Sequence, residues 1–152
     1  MHIERAGPAD VRGLARLKWI DRTTDRADTA EFDSFVEALA SWWESHGDTH
    51  FAFVARTEDA PVGAAWVAML PRVPSPGASN RLSADIQSVF VMPEHRGGGV
   101  GSALVDAAAA HALSVGASRV TVHSSELAVP VYQRLGFAGS PKLLQRIVAS
   151  GA

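Results

Sequence analysis

Four glycines occupy five consecutive positions in this 152-residue chain, in the segment Gly97-Gly98-Gly99-Val100-Gly101. A β-branched and aromatic run, Val89 to Met92, ends at Pro93 just before them, and an alanine-rich helical pattern begins directly after them. Glycine permits a positive φ and lets a ligand approach the main chain, while the first N–H groups of a helix have no partner within it. The segment therefore predicts a strand, a tight turn and a helix whose N-terminus holds an anion.

Composition is typical of a globular domain. Hydrophobic residues make up 47% of the chain and charged residues 20%, and a chain of this length buries roughly two-thirds of its unfolded surface. We therefore predict one domain over residues 1–152. No apolar stretch approaches the ~20 residues that cross a bilayer, and the N-terminus lacks the basic-then-apolar pattern of a secretory signal. A cytoplasmic protein without a membrane partner is expected.

Cysteine content and charge exclude several functions. The chain has no cysteine, which excludes disulfides, thiolate metal sites and a cysteine nucleophile. A net charge of −2 gives no support for a nucleic-acid partner. Residues 1–50 carry six Lys/Arg against ten Asp/Glu, or −4, and residues 51–152 carry eight against six, or +2. His46 and His50 have i, i+4 spacing, but Gly47 interrupts a helix there and no third ligand follows, so no metal is expected.

Hydrophobic periodicity and turn residues predict the element order βααβββαβαβ, an α/β domain with a mixed sheet. The predicted strands are His2–Ala6, Phe51–Arg56, Val62–Leu70, Leu82–Met92, Ser118–His123 and Leu143–Ala149. The predicted helices are one introduced by Gly7-Pro8 and ending near Arg22, one spanning Phe32 to Trp43 and closed by Gly47, Gly101–Val115, and a short one from Pro130 to Leu135. A mobile surface loop is predicted for Pro71–Asn80, which contains three prolines and a glycine.

The glycine turn can be compared with three kinds of phosphate-binding turn. A P-loop ends in Gly-Lys-Ser/Thr, whereas Gly101 is followed by Ser102-Ala103. A dinucleotide-binding fingerprint would need a third glycine where Leu104 stands and an acidic residue at the end of the next strand, which ends in His123. Nucleoside triphosphate hydrolysis and binding of NAD or FAD are therefore not expected.

The remaining pattern is Arg96-x-x-Gly99-x-Gly101 after a strand and Pro93-Glu94. It resembles the pyrophosphate loop of the GNAT N-acetyltransferase superfamily. A second motif, Val131-Tyr132-Gln133-Arg134-Leu135-Gly136-Phe137, is similar to the Tyr-x-x-Leu-Gly-Phe ending of that family's last core helix. The spacing of the two motifs and the element order also match over nearly the whole chain. The resemblance implies a GNAT-like βααβββαβαβ domain with a mixed, centrally splayed sheet.

The resemblance also implies that acetyl-CoA lies where the parallel strands Leu82–Met92 and Ser118–His123 part. Each hydrogen bond from a backbone N–H to the charged diphosphate is worth about 1.5–3 kcal/mol, against about 0.3–1 kcal/mol for the helix dipole. Arg96 is either an additional cation or a solvent-facing charge that starts the loop. Ser125 replaces the asparagine of many family members with a shorter hydroxyl. The expected coenzyme-binding residues are Phe90, Val91, Arg96, Gly97, Gly98, Gly99, Val100, Gly101, Ser102, Ser125 and Tyr132.

Direct attack of a primary amine on acetyl-CoA in a ternary complex is the reaction that the resemblance implies. Tyr132, the only tyrosine in the chain, matches the family position that can protonate the departing thiolate as a general acid. The alternative for Tyr132 is a buried phenol that only packs on the core. A backbone N–H of the strand near Val91 is expected to meet the oxyanion.

The base that deprotonates the amine is harder to assign. Asp85 lies six residues before Val91, and regular alternation would place it on the same face as Gln87, Val89 and Val91. Its position corresponds to a glutamate base in some family members, so Asp85 is the predicted catalytic base. The alternatives are a cap or surface role for Asp85, with His123 or water as the base.

The acceptor surface in such proteins comes from the two N-terminal helices, their connection and the loop before the long strand. Acidic residues in the connection, with arginines among them, slightly favour a cationic amine, and a small-molecule amine is the expected partner. Trp42 is expected to point away from Trp43 and to line the acceptor site, form a homodimer contact or pack on a neighbouring element. The alternative function is a catalytically silent acyl-CoA-binding sensor or regulatory module, which would need neither Tyr132 nor Asp85. The acidic residues are Asp21, Asp25, Asp28 and Glu31.

Overall fold

A computed structural model describes residues 1–58 and 60–148 of the chain. Within them the strands are β1 (His2–Arg5), β2 (His50–Thr57), β3 (Ala60–Arg72), β4 (Arg81–Val91) and β5 (Ala117–Val122). The α-helices are α1 (Val11–Arg22), α2 (Ala30–His46), α3 (Val100–Ser114) and α4 (Val129–Arg134). None of the described helices combines the length and the apolar character that a bilayer crossing requires.

The strands form one sheet in the order β1-β2-β3-β4-β5. Neighbouring strands from β1 to β4 are antiparallel, and β5 runs parallel to β4. Pairing between β4 and β5 ends where Ile86 lies beside Val122, although β4 continues to Val91. The predicted mixed α/β fold class is therefore confirmed, and the two parallel strands part beyond Ile86.

Two apolar layers cover the two faces of the sheet. On one face α3 buries Leu104, Ala108 and Ala112 against side chains of β2, β3 and β4. On the other face α1 buries Leu14 and Leu17, each worth about 1.5–3 kcal/mol relative to an exposed side chain. The helices and the sheet thus form three layers, and the splay between β4 and β5 opens at one end of them.

Local sequence signals explain where the N-terminal helices begin and end. The Thr29 hydroxyl accepts a hydrogen bond from the Phe32 N–H at 3.2 Å, an N-cap worth about 1 kcal/mol, and Gly47 follows the last residue of α2 as predicted. A Cβ on Gly13 of α1 would lie 2.6 Å from Cγ of Pro61. Glycine therefore lets α1 lie against the start of β3.

The final predicted strand, Leu143–Ala149, is not formed in the part of it that the structure describes. Residues 143–148 have no regular secondary structure, and Ala149 lies outside the described residues. The apolar residues come in two pairs around Gln145-Arg146, so no single face alternates as a strand requires. The side chains of Leu143, Leu144, Ile147 and Val148 are 65%, 86%, 81% and 75% exposed.

The segment predicted as a loop, Pro71–Asn80, is partly regular. β3 continues through Arg72, and Ser75 and Ala78 form an isolated antiparallel bridge. The guanidinium of Arg81 donates to the Val73 carbonyl at 2.8 Å. Proline was expected to end the strand earlier, but at the margin of a sheet its missing N–H removes little.

Candidate active site

The glycine turn joins β4 to α3. Gly97 and Gly99 have φ values of 82° and 85°, in the left-handed region that disfavours side chains with a Cβ. The Ala103 N–H donates to the Gly99 carbonyl at 3.0 Å, which closes the first turn of α3. The N–H groups of Val100, Gly101 and Ser102 precede that bond and point out of the helix N-terminus. They form a set of main-chain donors suited to an anion.

Arg96 lies between the end of β4 and this turn. Its Nε donates to the Val91 carbonyl at 2.9 Å, and its Cζ lies 5.5 Å from the centre of the Phe90 ring. The residue is exposed and lines the cavity beside the glycine turn. Arg96 therefore braces the end of β4 and keeps a cation beside the main-chain donors.

A β-bulge interrupts β4 at Gln87. Trp66 of β3 pairs with Ser88, whereas the next residue, Val67, pairs with Ile86. The extra residue reverses the alternation of side chains. Ile86 and Val89 consequently both pack in the layer under α3, while Phe90 packs toward α1.

The bulge overturns the predicted position of Asp85. Asp85 pairs with Ala68, so it projects on the α1 side with Ser88, and the prediction that it shares a face with Val89 and Val91 is wrong. The Thr121 hydroxyl of β5 donates to its Oδ1 at 2.9 Å. Asp85 is not among the residues that line the two cavities described below. Its predicted role as a base is untested and stays a prediction.

Main-chain groups of β4 face the opening that β5 leaves. The Met92 N–H donates to the Val62 carbonyl at 2.8 Å. Because bonded and non-bonded pairs alternate along an antiparallel ladder, the N–H and C=O groups of Val89 and Val91 are directed away from β3. The bond from Arg96 to the Val91 carbonyl has this direction. Two N–H donors therefore face the splay.

Two adjoining cavities form a continuous cleft along this splay. They have volumes of about 520 Å³ and 330 Å³ and share Asp21, Val89, Ala128 and Tyr132 as lining residues. The larger cavity lies beside the glycine turn, and the smaller one is lined by Gln87, Ser88 and His123 among others. We call them the glycine-turn cavity and the far cavity.

Most of the predicted coenzyme-binding residues line the glycine-turn cavity. Ser125 lines the far cavity instead, and Gly98 lies between lining residues without lining either cavity itself. Those in the glycine-turn cavity are Phe90, Val91, Arg96, Gly97, Gly99, Val100, Gly101, Ser102 and Tyr132.

Tyr132 stands at the junction of the two cavities. Its position follows from α4, which has Pro130 in its first turn and is followed by Gly136 at a φ of 91°. The ring packs edge-on against Phe137 with centroids 5.7 Å apart. Burial raises the pKa of the phenol, so it is protonated at neutral pH. Among the described residues no carbonyl accepts a hydrogen bond from its hydroxyl, which leaves the hydroxyl available to a ligand.

Several lining residues were not predicted from the sequence. Arg134 brings a second cation to the glycine-turn cavity, although it stands within the quoted Tyr-x-x-Leu-Gly-Phe motif. Gln87 and Ser88 line the far cavity because of the bulge, and no pattern in the sequence of β4 predicts a bulge. The Lys18 ammonium of α1 donates to the Ser88 hydroxyl at 3.1 Å.

The predicted acceptor residues separate into two groups. Asp21 lines both cavities and pairs with Arg22 at 3.3 Å. Asp28 instead pairs with Arg26 at 2.6 Å, a hydrogen bond that lowers the pKa of the Asp28 carboxyl. Trp42 stacks on His46 with ring centroids 4.5 Å apart and does not line the cleft. Trp42 thus packs on a neighbouring element of its own chain, and its predicted role in a homodimer contact stays a prediction.

Comparison of the sequence with protein families gives one matching model. Residues 13–137 match the model described as the acetyltransferase (GNAT) family. A comparison with curated protein sequences finds no match. The matched range contains both the glycine turn and Tyr132.

Solved structures with the same fold support this match. An acetyltransferase from Trypanosoma brucei has a TM-score of 0.76 at 21% identity, covering 97% of this chain and 99% of that one. Glucosamine-6-phosphate N-acetyltransferase from Arabidopsis thaliana has a TM-score of 0.74 at 19% identity, covering 96% and 97%. A predicted acetyltransferase from Clostridium acetobutylicum, solved with acetyl-CoA, has a TM-score of 0.71 at 16% identity, covering 96% and 95%. At these identities the comparison establishes the fold alone.

Proposed function

The chain belongs to the acetyltransferase (GNAT) family, and from that premise we propose that it transfers an acetyl group from acetyl-CoA to a primary amine of a small molecule. The observation that carries the proposal is the continuous cleft between β4 and β5. Main-chain anion donors lie at one end of it, a protonated phenol lies at its middle, and a polar cavity lies at the far end. These are the three parts that acyl transfer from a diphosphate-bearing thioester needs.

The residues of the glycine-turn cavity suit coenzyme A. The N–H groups of Val100, Gly101 and Ser102 can bind its diphosphate, and Arg96 and Arg134 supply positive charge on the walls. A side chain with a Cβ would be strained at Gly97 and Gly99. Acetyl-CoA would supply an activated acetyl thioester at the junction of the two cavities.

Tyr132 is proposed as the general acid. Its phenol lines the junction, and the raised pKa keeps its proton available to a departing thiolate. The N–H groups of Val89 and Val91, which face the splay, are proposed to stabilise the charge that develops on the carbonyl oxygen. The amine, bound in the far cavity, would attack directly without an acyl-enzyme intermediate.

His123 is the proposed base. It lines the far cavity, whereas Asp85, the base predicted from the sequence, is not among the lining residues of either cavity and accepts a hydrogen bond from Thr121. A base must reach the proton it removes directly or through one water. His123 is therefore the better candidate of the two, because it lines the cavity in which the amine is proposed to bind.

The proposal is tested by incubating the protein with acetyl-CoA and a panel of small amines while following release of free thiol. We expect amine-dependent thiol release with at least one member of the panel. Binding of acetyl-CoA in a calorimetric titration without thiol release from any amine would favour the catalytically silent acyl-CoA-binding module. Absence of both binding and release would contradict the proposal.

Several expectations about partners and location stay predictions. The homodimer contact suggested for Trp42 stays a prediction, and 39% of this residue is exposed. The absence of a nucleic-acid partner and the cytoplasmic location rest on the sequence alone. The far cavity, with Asp21 on its wall, is the feature that would select the amine.

A further inference from the structure

Lysine is scarce in this chain. The sequence has fourteen basic residues counted as Lys and Arg, and only Lys18 and Lys142 among them are lysines. An acetyltransferase that acts on amines thus carries only two side-chain amines of its own. Their surroundings differ, and the difference concerns the proposed reaction directly.

Lys18 does not itself line the far cavity, but it contacts a residue that does. Its Nζ lies 3.1 Å from the Ser88 hydroxyl, and Ser88 lines that cavity together with Tyr132. Asp21 and Arg22, on the next turn of α1, line the same cavity. The Lys18 amine is therefore one side chain away from the place where an acceptor amine is proposed to bind.

The surroundings of Lys18 favour its neutral, nucleophilic form. Its side chain is partly buried, and that burial lowers the pKa of the amine, with a further decrease from the Arg22 guanidinium and a partial increase from Asp21. A neutral amine is the form that attacks a carbonyl. Lys142, in contrast, is exposed, follows the end of α4 and lines neither cavity of the cleft.

We propose that Lys18 is an internal acetyl acceptor, modified by the protein's own reaction. This inference rests on the proposed function, which supplies the acetyl thioester. In the step, Nζ of Lys18 forms a bond to the carbonyl carbon and the carbon–sulfur bond breaks. The nitrogen loses one proton and the departing thiolate gains one, which leaves acetyl-lysine and free coenzyme A.

Self-acetylation would change the far cavity. The amide that replaces the ammonium keeps one N–H that can donate to Ser88, but it removes a positive charge and adds an acetyl group. The space next to Asp21 and Ser88 would become smaller and less cationic. The modification would thus act on acceptor binding and would leave the glycine-turn cavity unchanged.

The test follows acetylation of the whole chain by mass spectrometry in the presence of acetyl-CoA and without an added amine. We expect one acetyl group at Lys18, formed at least about tenfold faster than at Lys142 because the reacting groups are held together. The rate per molecule should not change on dilution, since the reaction is within one chain. Lys142→Arg should retain the modification, and Lys18→Arg should lose it.

A coenzyme-binding variant separates enzymatic from spontaneous acetylation. Gly99→Val should slow acetylation of Lys18 by acetyl-CoA about tenfold or more while leaving its reaction with a small activated acetyl ester unchanged. Equal modification of Lys18 and Lys142 by acetyl-CoA would overturn the inference. So would an unmodified Lys18 in a sample that binds acetyl-CoA by calorimetry, whereas absence of binding would overturn the proposed function itself.

Discussion

The two cavities of the cleft are built in different ways. The glycine-turn cavity takes its main-chain donors from one continuous segment, Arg96 to Ser102, beside lining residues of β4, α3 and α4. The far cavity is made of side chains from the end of α1, the bulge in β4, the end of β5 and α4. Backbone donors bind a chemical group that does not vary, whereas side chains from separate elements can change one at a time. The donors at the end proposed for the coenzyme are therefore set by local sequence, whereas the end proposed for the acceptor depends on tertiary structure.

The largest effect on activity is expected from a substitution of Tyr132, at the junction of the two cavities. Tyr132→Phe removes the proposed acid but keeps the ring that packs on Phe137, so we expect kcat to fall by about 10²–10⁴-fold. Steady-state kinetics with acetyl-CoA and an accepted amine measures the change.

The unfolding temperature and the coenzyme affinity of this variant serve as controls. Both should stay close to the values of the unmodified chain. An undiminished kcat would leave Tyr132 only a packing role. The two cavities would then have no proposed catalytic group between them.

A side chain at Gly99 should weaken the binding of coenzyme A, whereas a side chain at Gly98 should be tolerated. Gly99→Val forces a β-branched residue to a φ of 85°, a strain of about 1–3 kcal/mol, and we expect affinity for coenzyme A to fall about ten- to hundredfold. The matched control is Gly98→Ala, because Gly98 has no positive φ and nothing lies within 4 Å of its Cβ position.

Calorimetric titration measures the effect, and the KM for the amine should change little in either variant. Equal affinity in the two variants would mean that the diphosphate does not use these main-chain donors. A large change in amine KM would show that the two ends are not independent.

The far cavity should distinguish the two candidate bases. His123→Gln should lower kcat/KM by at least about tenfold, since a general base contributes about 10²–10⁴-fold. Asp85→Asn should leave kcat/KM close to that of the unmodified chain, because its side chain can still accept a hydrogen bond from Thr121. A large loss of kcat/KM in Asp85→Asn together with an undiminished kcat/KM in His123→Gln would restore Asp85 as the base.

The smallest effect is expected at Asp21. For a cationic amine, Asp21→Asn should raise KM by about two- to fivefold, the range of a solvent-exposed charge interaction. Asp48→Asn, an equal change of charge at an exposed position outside the cleft, should leave KM unchanged. Equal effects of the two substitutions would show that net charge, and not the wall of the cavity, selects the amine.

Most of the fold was predictable because its signals are local. The apolar spacing of α2, the glycine at its end and the strand-turn-helix pattern around Gly99 each depend on neighbouring residues. Leu143–Ala149 was predicted as a strand from apolar content, although its paired apolar residues do not alternate. Pairing with a neighbour decides whether such a segment becomes a strand, and that information lies outside the segment.

The site residues, too, were predictable where the signal is local and not where it depends on strand pairing. Residues of the glycine turn and Tyr132 were predicted by motifs, and the structure places them together. Strict alternation along β4 misplaces Asp85 and gives no reason to expect Ser88 in the site, because the bulge reverses the alternation between them. A bulge depends on how two strands fit each other, so neither strand alone reveals it.

The single additional residue in β4 has a consequence for mutagenesis. On the two sides of Gln87 the side chains of β4 alternate in opposite phase. Ile86 and Val89, which are three residues apart, therefore both pack against α3. Pairs of substitutions across that point should therefore couple at odd separations, and pairs within either half at even ones. Deleting Gln87 would remove the bulge and leave Ile86 opposite Val67 and Ser88 opposite Trp66. Both halves of the strand would then alternate regularly and keep their present layers.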